Sequence, residues 1–452
     1  MDRRKFLAHF GVGALGMVLA GPLLAEDKGG GNAKSNSGAS SSKTGATVGS
    51  LMPGNTGANG RIVVIGGGMA GATVAKYLRM WGGTGVDVTL VEPNAAYYSN
   101  IFSNMVLTGE RTLGQLAFQY SSLTSKYGVK WVAKSVTAID PVSQRVMLSD
   151  GNSLPYDRLV IAPGVEFDAL PMSGAAAAQA KVVHAWKAGP QTTSLQAQIA
   201  AMTSKDTFIL TIPAKPYRCP PGPYERACVV ADYLKRVKGG GKVIVLDANP
   251  GIQAEVNNFT KAFTDPKLHG NTITYVPNAS LISIDADRGK VSTTAGAFTG
   301  KVINAIPPHK AGRVITDSAT GLANVAGRWA GVNMLTYEST AVPNVHVIGD
   351  AAATSQPKAG HIANAEAKVC ADAIIHLLRG EAVNPAPITN SACFTPITRG
   401  TASWLSVVYR YDPASASMLP TGNGVTESAG ISSDNYEQML KWFSNLMSDT
   451  FS

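Results

Sequence analysis

Cysteine is scarce in this 452-residue chain: only four occur, at 219, 228, 370 and 393. None falls in a C-x-x-C or C-x-x-C-H spacing, which excludes an attached c-type haem and zinc-knuckle spacing in this chain. Aromatic residues make up 7% and charged residues 15%. No apolar run beyond residue 25 reaches the ~20 residues of a spanning helix. The formal net charge of +9 is scattered, without the lysine- or arginine-rich run that marks a nucleic-acid footprint. That charge serves solubility, or steers the protein toward an acidic partner surface.

Glycine is abundant, at 47 residues, and 45% of the chain is hydrophobic. This suits a nucleotide-binding α/β protein with large cores, and the length implies about three domains. Arg3-Arg4-Lys5-Phe6-Leu7 precedes an uncharged apolar run from Ala8 to Ala25. That pattern reads as a twin-arginine export signal over residues 1–25, and hence a periplasmic protein. Residues 26–60 are Gly/Ser/Asn-rich and read as a flexible linker, with folding expected from Arg61. In an oxidising compartment the four cysteines allow three disulfide pairings, and spacing does not choose among them.

The β-branched run Arg61–Ile65 predicts a buried parallel strand. Gly66-Gly67-Gly68-Met69-Ala70-Gly71 follows at once, then a helical pattern over Ala72–Met80. In such a turn Gly66 permits the tight bend, Gly68 lets the backbone approach a pyrophosphate, and Gly71 allows close helix–strand packing. A second strand, Val86–Val91, ends in Glu92, placed to hold a ribose hydroxyl pair. The expected fold class is therefore α/β, with a Rossmann-like domain.

Two later stretches point to FAD. Tyr156-Asp-Arg-Leu-Val-Ile-Ala162-Pro-Gly164 and Asn344-Val-His-Val-Ile-Gly349-Asp350 resemble segments of flavoproteins with two dinucleotide domains. That resemblance implies an FAD-binding domain over 61–170 and 307–384, with Asp350 beside the ribityl chain. It also implies an inserted NAD-type domain over 171–306 and a C-terminal interface domain over 385–452. In the insert, the strand Thr207–Ile212 leads into Pro-Ala-Lys-Pro-Tyr-Arg-Cys219-Pro-Pro-Gly-Pro rather than a glycine cradle. Prolines supply no N–H for phosphate, so no NAD(P)H is expected there. Cys219 lies ahead of a helical pattern over Tyr224–Val237 and beside Arg218, where dipole and charge favour a thiolate. It reads equally as a redox thiol or as half of an inert disulfide.

From Arg61 onward the chain resembles the flavoprotein subunit of flavocytochrome c sulfide dehydrogenase. The stretches that carry this include VVIGGGMAGATVAKYL, HAWKAG (184–189), RCPPGPYERA (218–227), VINAIPPHKAG and KWFSNLMSDTFS. The resemblance implies a redox disulfide over the flavin between Cys219 and Cys393. It further implies sulfide as the small sulfur substrate and a c-type cytochrome partner that removes electrons from FAD. Glu225 matches a proton-handling position, or is a surface helix carboxylate. Trp442 matches an aromatic near the flavin, or is a core tryptophan. Asn100 stands where the family carries a flavin-linking cysteine, so FAD is expected to be noncovalent. The alternatives are a sulfide:quinone reductase, whose membrane contact would use the amphipathic tail Tyr436–Ser452, and an accessory thiol-exchange flavoprotein. Cys228 and Cys370 are expected to be free and buried. His184, His309, His346, His361 and His376 are expected to be structural, and no metal site is expected.

Overall fold

Three β-sheets position the site in the computed structural model, which describes residues 53–317 and 319–452. The export signal and the linker up to residue 52 lie outside the described residues. In chain order we label β1 (Gly60–Ile65), α1 (Met69–Gly82), β2 (Val86–Val91), β3 (Lys130–Val132), β4 (Arg158–Ile161), β5 (Thr207–Ile212), α2 (Gly222–Lys238), β6 (Lys242–Asp247), α3 (Val256–Thr264), β7 (Ile273–Val276), β8 (Val302–Ala305), β9 (Val345–Val347), α4 (Gly360–Arg379), β10 (Ile388–Thr398), β11 (Thr401–Asp412), β12 (Ser417–Pro420) and α5 (Ser433–Phe451).

The first sheet has the order β9-β4-β1-β2-β3, with every neighbouring pair parallel. β1 is central because its Ile62, Val63 and Val64 are apolar on both faces, and all three are buried. α1 and α4 cover one face through Ala75, Leu78, Cys370 and Ile374, which share one core. Each such fully buried Leu or Ile contributes roughly 1.5–3 kcal/mol of apolar burial.

The chain leaves this sheet through Val165–Phe167 and returns through His309–Ala311, and those two crossings pair antiparallel. Between them lies a second parallel sheet, β7-β6-β5-β8. Its core joins Phe208, Leu210, Val243 and Val245 to Tyr224 and Cys228 of α2 and Phe259 of α3.

The third sheet is antiparallel, β10-β11-β12, with Thr426–Glu427 also paired to β11. α5 lays its apolar face inward. Phe443 stacks on Phe102 with ring centroids 4.2 Å apart, and Phe451 on Tyr97 at 5.2 Å. Lys76 Nζ donates to the carbonyls of Asp449 and Ser452 at 2.8 and 2.7 Å. The amphipathic tail is thus packed within the chain.

One boundary differs from the composition-based reading. Ala58 is fully buried, and Thr56 Oγ1 donates to the Gly82 carbonyl at 2.5 Å. The packed chain therefore begins ahead of Arg61, because the tight turn after α1 offers carbonyls that the end of the Gly/Asn-rich segment can reach.

Candidate active site

A cavity of about 1050 Å³ opens where the three sheets meet. Its wall contains Gly66, Gly68, Ala70, Glu92, Asn100, Ala162, Gly164, Cys219, Glu225, Gly349, Asp350, Cys393 and Trp442. Among the expected site residues, Gly71 stands behind this wall. A Cβ there would overlap the Gly66 carbonyl oxygen, so glycine is required for α1 to close onto the turn. Gly66 takes φ +96°, and a Cβ on it would strike the Ala162 carbonyl.

The residues on this wall fit a flavin dinucleotide. Gly68 is open toward the cavity, its nearest neighbour to a hypothetical Cβ being a Tyr97 ring carbon at 3.8 Å. No side chain caps the α1 N-terminus, so its N–H groups and positive dipole end are available to phosphate. Glu92 accepts from Gly67 N and from Asn94 N, both at 2.9 Å, which fixes the carboxylate beside the cradle. Asp350 is the clearest sign of a missing polar partner. Its Oδ1 is buried without a hydrogen bond, and burial raises its pKa against the charges of Arg218 and Lys358.

The cysteine wall is built by the proline turn. Cys219 holds φ +58°, a left-handed conformation unusual for a side chain with a Cβ. Its N–H donates to the Lys358 carbonyl at 2.7 Å, and its carbonyl accepts from Gly222 N at 2.9 Å. A Cβ on Gly222 would lie 2.9 Å from both Cys219 Sγ and the Trp186 ring. Glycine is what admits the sulfur there. Cys393 comes from β10, and both cysteines are free thiols in the structure.

Burial corrects one expectation. The Cys219 thiol is pushed well above its ordinary range, first by desolvation, then by the Cys393 and Glu225 charges. Arg218 and the Gly222 N–H oppose this and are outweighed. Burial likewise pushes Cys393 up to about 12. Glu225 is no surface carboxylate: it is 7% exposed, and desolvation pushes it up to about 7. Asn104 Nδ2 donates to it at 2.9 Å.

Arg226 was not singled out in the sequence. Arg226 is fully buried and donates to Asn104 Oδ1, the His184 and Ala185 carbonyls, and Asn304 Oδ1 at 2.7–2.8 Å. Its guanidinium also lies 4.6 Å from the Trp186 ring centroid. It lies inside RCPPGPYERA, and a helix arginine beside a proline turn was the available signal. His184 and His361, expected to be structural, both line the cavity. His361 Nδ1 faces Trp442 Nε1 at 3.4 Å and accepts from Ala392 N at 3.0 Å. Asn100 lines the cavity and accepts from Ala188 N at 2.8 Å, tying its loop to the 184–189 segment. Cys228 and Cys370 are both fully buried and free. No metal-binding cluster occurs among the described residues.

Comparison with known proteins shows what this chain is similar to. Residues 192–307 match the family model for the central part of the sulfide dehydrogenase [flavocytochrome c] flavoprotein chain. Residues 60–201 match that for pyridine nucleotide-disulphide oxidoreductases. Across residues 60–307 the chain is therefore similar to the flavoproteins of the sulfide dehydrogenase and sulfide:quinone oxidoreductase family. This flavoprotein is 23% identical to the mitochondrial sulfide:quinone oxidoreductase of Dictyostelium discoideum over 360 residues, 78% of each chain. It is 33% identical to putidaredoxin reductase CamA of Pseudomonas putida over 126 residues, covering 27% of this chain and 30% of that one. In fold it is similar to the sulfide:quinone oxidoreductase of Aquifex aeolicus. The TM-score there is 0.69 at 18% identity, over 86% of this chain and 92% of the other. It is also similar in fold to putidaredoxin reductase in its covalent complex with putidaredoxin, with a TM-score of 0.61 at 18% identity, over 87% of this chain and 94% of the other. The α/β fold is thus that of the FAD-binding pyridine nucleotide-disulphide oxidoreductases.

Proposed function

We propose that this flavoprotein oxidises sulfide, or a related reduced sulfur species, through a Cys219–Cys393 redox disulfide, with a c-type cytochrome as final acceptor. The observation that carries this is the presence of both cysteines on the wall of the cavity that holds the glycine cradle. The sulfide:quinone oxidoreductase relatives and the sulfide dehydrogenase family model support it.

Cys393 also lines a second cavity of about 600 Å³, which Cys219 does not reach. A hydrosulfide entering there attacks the Cys393 sulfur of the disulfide as a thiolate would. The S–S bond breaks, Cys393 carries a persulfide, and the Cys219 sulfur leaves with the electron pair. Arg218 and the Gly222 N–H support that thiolate against the cost of its burial. Bound FAD supplies a two-electron acceptor. Glu225, poised near neutrality, takes up the proton released from the entering sulfur species.

FAD in this reading is held noncovalently, since the Asn100 amide cannot form a thioether. NAD(P)H has no role, because the turn ahead of α2 presents prolines where a phosphate would need N–H donors. The sequence signal at 1–25 supports export to the periplasm. The quinone alternative would need a membrane-facing surface, and the apolar face of α5 is already buried against Phe102 and Tyr97. The test is sulfide-driven reduction of a c-type cytochrome by the purified, FAD-loaded chain. Cytochrome reduction supports the proposal, reduction of a short-chain quinone alone transfers it to the quinone reading, and reduction of neither sinks it.

A further inference from the structure

Glu255 is a buried carboxyl that the mechanism above leaves unused. It sits at the start of α3 in a left-handed conformation, φ +48°, and is 3% exposed. Thr395 Oγ1 lies within hydrogen-bond distance of both its oxygens, at 2.9 and 2.8 Å, and Ser403 Oγ hydrogen-bonds Oε2. Thr395 and Ser403 are cross-strand partners on β10 and β11. Strand side chains repeat every second residue on a face, so Ser391, Cys393 and Thr395 point the same way. Thr395 lines the cavity next to Cys393, while Glu255 lies behind that wall.

The groups facing Glu255 are all acidic. They are Glu225 and Cys228 on α2, Glu427 on the strand beside β11, and Cys393 on β10. Among the described residues, the charges that act most on it are those of Glu225 and Glu427, both of which raise its pKa. An isolated carboxylate in such a place is costly, and the group keeps its proton instead. Burial accordingly pushes it up to about 8, and its charge, when present, is the largest acting on Cys393.

We propose that Glu255 is the proton donor to the Cys393 sulfur, acting through the Thr395 hydroxyl. This rests on the sulfide reading. When a second hydrosulfide takes the outer sulfur from the Cys393 persulfide, the S–S bond breaks and Cys393 Sγ keeps its electron pair. Thr395 Oγ1 passes its proton to that thiolate and receives the proton of Glu255. The new carboxylate stays held by Thr395 and Ser403, and the buried charge stays at one throughout. The reverse transfer returns the proton when the disulfide re-forms. Glu255 touches no substrate and is a positioning residue in this sense.

The test uses the FAD-loaded full chain with Cys219→Ser, so that the state of Cys393 is read without sulfide turnover. Alkylation of Cys393 by iodoacetamide is followed by mass spectrometry across pH, with and without Glu255→Gln. The amide keeps the hydrogen-bonding site and removes the charge. The two profiles should coincide below pH 7. At pH 9 the Glu255→Gln chain should alkylate roughly tenfold faster, one pKa unit of relieved repulsion. Superimposed profiles at every pH would overturn the proposal. Thr395→Val in the otherwise unaltered chain supplies a second reading should Glu255→Gln fail to fold. Release of sulfane sulfur in a single turnover should slow at least about tenfold at pH 7, with flavin content unchanged. An unchanged rate would overturn the relay. Absence of sulfide oxidation by the unaltered chain would sink the function but leave the alkylation profiles to judge Glu255.

Discussion

Two strand–turn–helix units in this molecule share a topology and differ in the turn. β1 enters α1 through Gly66-Gly67-Gly68-Met69-Ala70-Gly71, and β5 enters α2 through a run ending Cys219-Pro220-Pro221-Gly222. Both strands lie inside parallel sheets, and both turns end on the same cavity. The first turn opens on three glycines, and it offers backbone N–H groups. The second gives up those donors and offers a sulfur. Glycine is indispensable in each for a different reason. Gly71 lets backbone meet backbone, whereas Gly222 makes room for Cys219 Sγ and Trp186. One scaffold thus supplies a cofactor cradle at one edge of the cavity and a thiol at the other.

The largest effect should come from destroying the cradle. Gly71→Val forces a side chain into the Gly66 carbonyl, so the purified chain should lose its bound flavin, measured as the flavin-to-protein absorbance ratio. Retention of flavin would show that the cradle does not hold it. Gly222→Ala breaks the other turn. It should leave flavin content unchanged, cost about 1–3 kcal/mol in denaturant unfolding, and slow sulfide-driven flavin reduction by displacing the thiol. A normal rate would separate the Gly222 packing from the function of Cys219.

Glu225→Gln probes the thiol edge of the cavity by pH. A carboxyl raised to about 7 in the folded chain, against an ordinary value near 4.5, stabilises the fold fully below the lower value. That contribution is lost as pH rises toward 7, up to about 3 kcal/mol. The variant should therefore be the more stable at pH 8 and lose the inflection near pH 7 in its rate profile. Equal stability at pH 8 would mean that Glu225 is better solvated than its burial implies. The smallest change is chemical. Acid precipitation should release the flavin into the supernatant, and flavin retained in the pellet would show that a covalent link has formed without a cysteine at 100.

The glycine cradle was legible because its constraint is local: residues 66–71 must bend and approach within one turn. Strands Val86–Val91 and Thr207–Ile212 matched their apolar runs end to end. The proline turn was legible for the same reason. What escaped the sequence depends on distant partners. Asn104 meets Glu225 across 121 positions, and Glu255 meets Thr395 across 140. A helix dipole and an adjacent arginine argued for a low Cys219 pKa, but the local pattern carries no measure of burial, and burial dominates. His184 and His361 stand alone in the sequence, and only the fold brings them to the cavity wall.

The most direct measurement is an anaerobic sulfide titration of the flavin absorbance in the unaltered chain and in Cys219→Ser. Electron entry through Cys219 predicts that sulfide bleaches the flavin of the first, and that the second binds FAD equally well yet stays oxidised. Bleaching of the Cys219→Ser flavin at the rate of the unaltered chain would contradict it.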